Sequence, residues 1–591
     1  MFGWTGNILE IDLGRGLATV RRPPVSTYHR WLGGKGLAGH VLQPHVTKPW
    51  DHPEMPLIFA AGPLVATPAP TSGRTVVASR SPLTGTVMDS SVGGGLGFQL
   101  KRAGYDAVVI TGRAGKWVGV TIEEQSVRFE DAERFFQRPT GERFQRLQAK
   151  GACALVGPAA ENGVRFANIM VDRHFAAGRG GLGMVMAAKK LSYLRISGSG
   201  RVSIYDPQEL SGAREEIYRL ASGAPFLMGD LGIAHYGTAA LFDLIHTRAM
   251  MPTDNFRRTR FPQAEKCNAF QYRQTFGAHK TGCAGCHIRC KKRDDHGNAL
   301  PEYETMSHFH ALLTNDDMHV VMEANRLCND LGMDTISAGA TLACHAELGG
   351  GRLEKHAIVQ LLQEIAYSRG IGRRLKEGSS RYAAEAGRPD VSMSVKQLEL
   401  PAYDPRGACG MALGYALSSR GGCHLRAYPI SHEILRKPVA TDRFSFSGKA
   451  RIIKIAEDLN AVVDSLTACK FIFLAATLEE YARALYGVTG YQASGQDLLG
   501  IGERIYYRDR IMNAANGFTA VDDDLPNRFF EDPGSEIEGV TIAPLDREAF
   551  TLARSDYYRI RGLSQDGLPT TEKCRELDLK PLQEVSNGTL D

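Results

Sequence analysis

The sequence predicts an α+β protein, with a β-rich N-terminal domain over residues 1–205 followed by two mainly α-helical domains over 206–394 and 395–591. Three observations carry this. Short apolar runs with strand propensity crowd the first 205 positions. From Asp206 onward, apolar residues recur at three- and four-residue steps. A chain of 591 residues is also too long for a single core.

In order, Asn7–Arg21 alternates apolar and polar residues around Gly14-Arg15-Gly16, which reads as a β-hairpin. Further strands are expected at Leu57–Ala61, Thr75–Ser79, Ala107–Thr111, Trp117–Glu123, Val127–Glu130, Cys153–Gly157, Arg165–Asp172 and Tyr193–Ser197. Three glycine-rich loops separate them: Ala61–Leu64 leading to Ser72-Gly73-Arg74, Gly93–Gly97, and Ala177–Gly183. Such loops expose backbone N–H groups that can cradle phosphate or a polar cofactor. One alone is more often a turn; three together, two with an arginine, point to an anionic cofactor bound by the β domain. Asp206-Pro207 opens the first long helix, with Asp as cap and Pro in the first turn. Val320–Leu348 and Ile452–Leu466 carry helical periodicity, and a boundary is expected near residue 395.

Bulk composition excludes several classes. Seventy basic and 65 acidic residues leave a net charge of +5 without a basic stripe, so nucleic acid is not an expected partner. No apolar stretch is long enough for a membrane span, and the N-terminus lacks a basic start and an apolar run, so a cytoplasmic protein is expected. The 11 cysteines, an odd number scattered from Cys153 to Cys574, do not form a secreted disulfide framework. Three of them do form a motif. Cys283, Cys286 and Cys290 lie in C-A-G-C-H-I-R-C, a spacing that can wrap three corners of an iron–sulfur cube. Zinc and plain structural cysteines are the alternatives, although no second C-x-x-C or histidine pair lies nearby.

Ordered matches along the chain give a resemblance. They include G-W-T-G-N-I-L near the start, A-P-T-S-G-R-T up to Thr75, V-G-P-A-A-E-N at Val156–Asn162, A-A-G-R-G-G-L-G at Ala176–Gly183, P-E-Y-E at Pro301–Glu304, E-L-P-A-Y-D-P-R-G-A at Glu399–Ala408 and R-G-G-C-H at Arg420–His424. The chain resembles the tungsten-containing aldehyde:ferredoxin oxidoreductases over nearly its whole length. The resemblance implies a tungsten (or molybdenum) bis-pterin on the β base, a [4Fe-4S] cluster beside it, and a magnesium ion between the pterin phosphates. It promotes Cys469 to fourth cluster ligand; alone, Cys469 reads as a core cysteine at a helix end. Arg74 would bridge a pterin and the cluster, the backbone carbonyls of Ser91 and Ala176 would hold the magnesium, and Arg179 would meet the cofactor.

The family's repeated Asp-x-x-Gly-Leu-Cys/Asp pattern is altered here. Its first copy runs from Asn329 through Asp330, Gly332 and Asp334, and its second from Asp464 through Thr467 and Ala468 to Cys469. The Gly to Thr change at Thr467 weighs more if that position takes a positive φ. The resemblance also makes Glu304 a general base and His424 a hydrogen-bond donor to the substrate oxygen, with Tyr403 in the pocket wall. It implies oxidation of an aldehyde and electron delivery to ferredoxin or a ferredoxin-like subunit, within a homo- or hetero-oligomer. Arg289, Lys291, Lys292 and Arg293 offer a basic landing surface. Two other readings compete: a relative acting reductively, for example on an aromatic acyl thioester, and a cluster-only electron-transfer or scaffold protein that has lost pterin.

Overall fold

The computed structural model describes residues 1–147, 150–537 and 539–586. Its base consists of two six-stranded sheets. The strands are β1 (Ile8–Asp12), β2 (Leu17–Arg21), β3 (Leu57–Ala60), β4 (Thr75–Arg80), β5 (Val87–Val92), β6 (Ala107–Thr111), β7 (Val118–Glu123), β8 (Ser126–Asp131), β9 (Ala152–Leu155), β10 (Ile169–Val171), β11 (Phe175–Ala177) and β12 (Leu191–Ser197). The first sheet has the order β2-β1-β6-β3-β4-β5, the second β11-β10-β9-β12-β7-β8. The pairs β1–β6 and β12–β7 are parallel; the remaining neighbours are antiparallel.

The expected hairpin forms, with Ile8 opposite Arg21. All the other expected strands appear, Arg165–Asp172 shortening to β10. Two strands escaped the sequence reading, β5 and β11. Both are edge strands, and they pack against each other where the sheets meet. Val-Met-Asp-Ser-Ser-Val has no strict alternation, because β5 is buried along nearly all its length.

The rest is mainly helical. Asp206 caps helix Pro207–Ser222 by accepting from the N–H groups of Gln208 and Glu209. The single apolar stretch expected over Val320–Leu348 is two helices, Met318–Leu331 and Thr335–Leu348. Gly332 ends the first with φ 80°, and the Asp334 carboxylate caps the second. Apolar periodicity did not register the break, since both helices bury apolar faces in the same core.

The second copy of the pattern has the same construction. Helix Lys449–Leu466 ends at Thr467, whose φ of 53° places it in the left-handed region, and Cys469 precedes the short turn Lys470–Leu474. Thr467 therefore accepts a conformation that favours glycine, at a cost of order 1–3 kcal/mol. Its hydroxyl offsets this by accepting from the Gly62 N–H at 2.9 Å.

Glycines make that docking sterically feasible. A Cβ on Gly34 would lie 2.3 Å from the Asp464 carbonyl oxygen, and one on Gly62 would lie 2.2 Å from that of Leu466. Gly62 thus serves contact with protein backbone, where the sequence reading expected a ligand cradle. Gly73 likewise faces the Ala284 carbonyl, at 2.8 Å from where its Cβ would be. Gly62→Ala is expected to destabilise the protein by about 3 kcal/mol or more through overpacking against backbone. A thermal midpoint unchanged from the parent would contradict this account.

Candidate functional site

A cavity of about 1570 Å³ opens at the seam between the two sheets and the helices above them. β5 contributes Asp89, Ser90 and Ser91, and β11 contributes Phe175 and Ala176. Edge strands suit this position because their outer backbone groups have no sheet partner.

Three of the four expected cluster cysteines, Cys283, Cys290 and Cys469, line one side of the cavity. Backbone contacts bring them there. Cys469 donates its N–H to Thr71 O at 3.0 Å, Arg74 donates its own to Thr467 O at 3.3 Å, and the Cys283–Cys286 turn rests over Gly73. Cys286 does not line the cavity but belongs to the same group. Burial, then the charge of Cys469, pushes its thiol up to about 11, and the Cys290 thiol is raised by the same two causes. No disulfide forms among them. Thiols that raise one another's proton affinity in this way suit a shared cationic centre, which favours their thiolates. Among the described residues no three His, Cys, Asp or Glu side chains converge tightly enough for a single metal ion. A cube holds its ligands farther apart than one ion does.

Arg74 lines the cavity beside the cysteines. Its Nε donates to Ser91 Oγ at 2.7 Å and its Nη2 to the Ser91 carbonyl at 2.6 Å. Burial opposes its charge, but the negative fields of Cys469, Cys283, Asp464 and Cys290 outweigh it. Arg179 donates to the carbonyls of Glu399 (2.6 Å) and Gly422 (2.9 Å) and to Asp334 (3.2 Å), tying the β base to both helical regions. Asp464 is paired with Lys470 and lies 3.6 Å from Arg426.

The same cavity is lined by Glu304 and His424, with Glu304 Oε1 3.6 Å from His424 Nε2. The Glu304 carboxyl accepts from the Ala402 N–H at 2.9 Å, and burial raises its pKa to about 8. Burial, aided by Arg179 and Arg420, holds His424 well below the usual histidine range. At neutral pH the pair is therefore largely uncharged, and 3.6 Å is too long for a direct hydrogen bond. Glu304 Oε1 and His424 Nδ1 are buried without a partner, as is Arg426 Nε on the cavity wall. Such groups are costly to leave unmet, and their convergence fits a polar occupant. His308, behind Glu304, is spent on carbonyls: Nδ1 lies 2.7 Å from Glu304 O and Nε2 3.3 Å from Leu400 O. Tyr403 lines the cavity, its ring centroid 5.5 Å from that of His424.

Two expected cofactor residues lie elsewhere. Asp330 is turned outward, paired with Arg326 at 2.9 Å, because helical rotation puts Asn329 and not Asp330 on the cavity face. Gly332 acts by its left-handed φ and does not line the cavity. The basic surface also needs correction. Lys292 is buried, with Nζ 2.8 Å from Arg289 O, and Lys291 pairs with Glu302 at 3.1 Å. The exposed cations near the loop tip are Arg289, Lys280 and Arg273.

The sequence reading missed a charge node built on Asp89. Lys35 approaches it at 2.7 Å, Arg426 grips both carboxylate oxygens, and Arg420 donates to its carbonyl at 2.6 Å. Burial opposes its ionisation, but Arg426, Lys35 and Arg420 hold the carboxyl well below the usual range. Arg426, two residues beyond His424, was within reach of motif reading; Asp89 and Lys35 carried no local signal.

The family model for the aldehyde ferredoxin oxidoreductase N-terminal domain matches residues 8–198, and that for its domains 2 and 3 matches residues 213–579. The chain belongs to the aldehyde ferredoxin oxidoreductase family. Tungsten-containing aldehyde ferredoxin oxidoreductases of Pyrococcus furiosus and Thermococcus kodakarensis are 36% and 37% identical to this family member, each over 98% of this chain and 99% of the relative. The WOR-like subunit of an aliphatic sulfonate oxidoreductase of Pyrococcus furiosus is 26% identical, over 98% and 97% of the two chains. A chain of the BamBC active-site complex of benzoyl coenzyme A reductase shares the fold, with a TM-score of 0.83 at 20% identity, covering 99% of this chain and 98% of that one.

The raised Glu304 pKa has a stability consequence. The folded protein holds this proton more tightly than the unfolded chain, so the contribution is complete below the ordinary value of 4.5 and is lost as pH rises to about 8. In cofactor-free protein, the thermal midpoint of Glu304→Gln should therefore gain on the parent across that window and hold its gain above it. A constant difference between pH 5 and pH 8 would contradict the assignment.

Proposed function

We propose that this family member oxidises aldehydes to carboxylic acids at a tungsten (or molybdenum) bis-pterin and passes the electrons through a [4Fe-4S] cluster to ferredoxin or an iron–sulfur partner subunit. The observation that carries this is the pairing of Glu304 and His424, 3.6 Å apart, in one cavity with Cys283, Cys290 and Cys469. When bound, the metal–pterin supplies a two-electron acceptor and the cluster a one-electron outlet.

This chain's residues do the rest. Cys283, Cys286, Cys290 and Cys469 would hold the cluster. Arg74, whose charge is held by Cys469, Cys283 and Asp464, would hold pterin and cluster through its fixed charge and several donors. Arg179, Asp334 and Asp464 would contribute polar contacts to the pterins, and the carbonyls of Ala176 and of Ser91, which also accepts from Arg74, would be the magnesium ligands. Glu304, in its ionised form, takes a proton from the attacking water. His424, kept neutral, donates a hydrogen bond from Nδ1 to the aldehyde oxygen. Apolar Phe226, Phe473, Leu474 and Ile455 line the cavity with them, which suits a substrate with an apolar body and one polar end.

The volume of the cavity and its orphaned polar groups favour an enzyme over a cluster-only relay. The likeness to benzoyl coenzyme A reductase is one of fold, so a reductive reaction on an acyl thioester has no observation of its own here. Electrons leave most directly by the exposed Ala284–Gly285 tip, flanked by Lys280, Arg289 and Arg273. That surface complements an acidic carrier. Among the described residues no helix is long and apolar enough to cross a membrane, and we place the protein in the cytoplasm. The β base (1–205) and the helical regions (206–394 and 395–591) are read as the three domains.

Glu304→Gln should lower turnover of an aldehyde at least about 100-fold, the contribution of a positioned base, with iron and tungsten contents unchanged. Cys469→Ser should show the opposite pattern, losing iron first. Full activity in Glu304→Gln, or full iron in Cys469→Ser, would overturn the respective role. Reduction of an acidic ferredoxin should slow steeply as ionic strength rises, while a small uncharged acceptor is unaffected. Equal salt dependence for both acceptors would remove the docking surface.

A further inference from the structure

Oxidation of an aldehyde by water to a carboxylate releases three protons along with two electrons, and the buried Glu304 must return to its ionised form before each turnover. The electrons have the cysteine side of the cavity. Next to Glu304, His308 Nδ1 lies 2.7 Å from the Glu304 backbone carbonyl and 3.7 Å from Glu304 Oε2, too long for a direct hydrogen bond, and its Nε2 is 3.3 Å from the Leu400 carbonyl. Tyr403 and Tyr428, with hydroxyls 3.3 Å apart, line the cavity itself.

Away from the cysteines, another path runs through the protein. Asp334 lines the cavity, close enough that its charge adds to the raised proton affinity of Glu304. Ser337 Oγ lies 2.8 Å from Asp334 Oδ2 and 2.7 Å from Glu399 Oε2. The other oxygen of Glu399 is 3.2 Å from Ser379 Oγ, which is 2.9 Å from Ser392 Oγ, itself 2.9 Å from Ser394 Oγ. Ser337, Glu399 and Ser379 are fully buried, Ser392 is nearly so, and Ser394 is half-exposed. The chain is thus unbroken from the cavity wall to the surface.

We propose that Asp334, Ser337, Glu399, Ser379, Ser392 and Ser394 form a proton wire that exchanges protons between the catalytic cavity and solvent. The geometry at Ser337 sets its chemistry. A hydroxyl has a single hydrogen, yet this one sits between two carboxyl groups at hydrogen-bond distance, so one of them carries a proton. Arg179 Nε donates to Asp334 Oδ2 at 3.2 Å, whereas among the described residues no lysine or arginine forms an ion pair with Glu399. Glu399 is left as the acid, in keeping with the upward push that burial exerts on it. Each serine then accepts one hydrogen as it gives one, and Glu399 receives on one oxygen while releasing from the other. No atom other than hydrogen moves, and rotation of the hydroxyls resets the chain. The wire serves the aldehyde-oxidising reading given above, but its existence is testable without turnover.

The test uses Ser392→Ala, which breaks the chain far from the cavity, and Glu399→Gln, which keeps the shape but cannot carry a proton. Because Glu304 also holds a proton at neutral pH, infrared spectra of the loaded protein are read as parent-minus-variant differences: one protonated-carboxyl band should be present in the parent and in Ser392→Ala and absent from Glu399→Gln, while the Glu304 band remains in all three. On transfer to D2O that band should shift at least tenfold more slowly in Ser392→Ala than in the parent. In single turnovers with aldehyde and a pH-indicator dye, proton release should lag cluster bleaching in both variants, with a larger solvent isotope effect and an unchanged KM. A band that exchanges equally fast in parent and Ser392→Ala, or that survives in Glu399→Gln, overturns the wire. Release that keeps pace with bleaching in both variants does so too. If the parent's cluster does not bleach with any aldehyde, the reading of the reaction fails, and the infrared exchange still decides the wire.

Discussion

The structure depends on one docking contact, in which the end of helix Lys449–Leu466 lies against glycines of the β base. Carbonyl oxygens of Asp464 and Leu466 occupy the space that side chains on Gly34 and Gly62 would fill. The hydroxyl of Thr467 takes the Gly62 N–H, and the Cys469 N–H goes to Thr71. Because the chain reverses at a left-handed Thr467, Cys469 emerges beside the loop that carries Cys283, Cys286 and Cys290. Four thiols from positions almost two hundred residues apart meet through backbone contacts, before any metal contributes.

The same contact orders the charges. Asp464 belongs to the docked segment, and Arg426 reaches both it and Asp89, which is in turn held by Lys35. Buried charges of this kind are tolerated only when paired and hydrogen-bonded. Every strong acid near the base of the cavity has its cation, whereas Glu304, His424 and Arg426 keep atoms with no partner. The cavity is thus rigid where it is paired and chemically unsatisfied where an occupant belongs.

Much of the fold was legible in the sequence. Alternation marked the first hairpin, continuous apolar runs marked β3 and β6, and Asp206-Pro207 marked the start of the helical part. The strands that escaped were β5 and β11. Both are edge strands: β5 is buried along nearly all its length and so shows no alternation, and β11 is only three residues long, too short for a period to register. The merger of Met318–Leu331 with Thr335–Leu348 has a similar cause: both halves bury apolar residues, and only the glycine at 332 marked the break. The site was legible where it is local, as in the cysteine loop and in P-E-Y-E and R-G-G-C-H. Asp330 was misplaced because a pattern match does not say which face of a helix a residue occupies. The Asp89–Lys35–Arg426 node and the Ser337–Glu399 chain were invisible, being assembled from separate segments.

By itself the sequence determined the membership in a family and the α+β order, since these reside in residue types and short spacings. Tertiary structure alone decided that Thr467 accepts a left-handed backbone, that Cys469 reaches the cysteine loop, and that Glu304 holds its proton to about pH 8. The physical reason is that close backbone approach, burial and proton affinity are properties of neighbours in space. Those neighbours come from strands and helices that chain order leaves far apart.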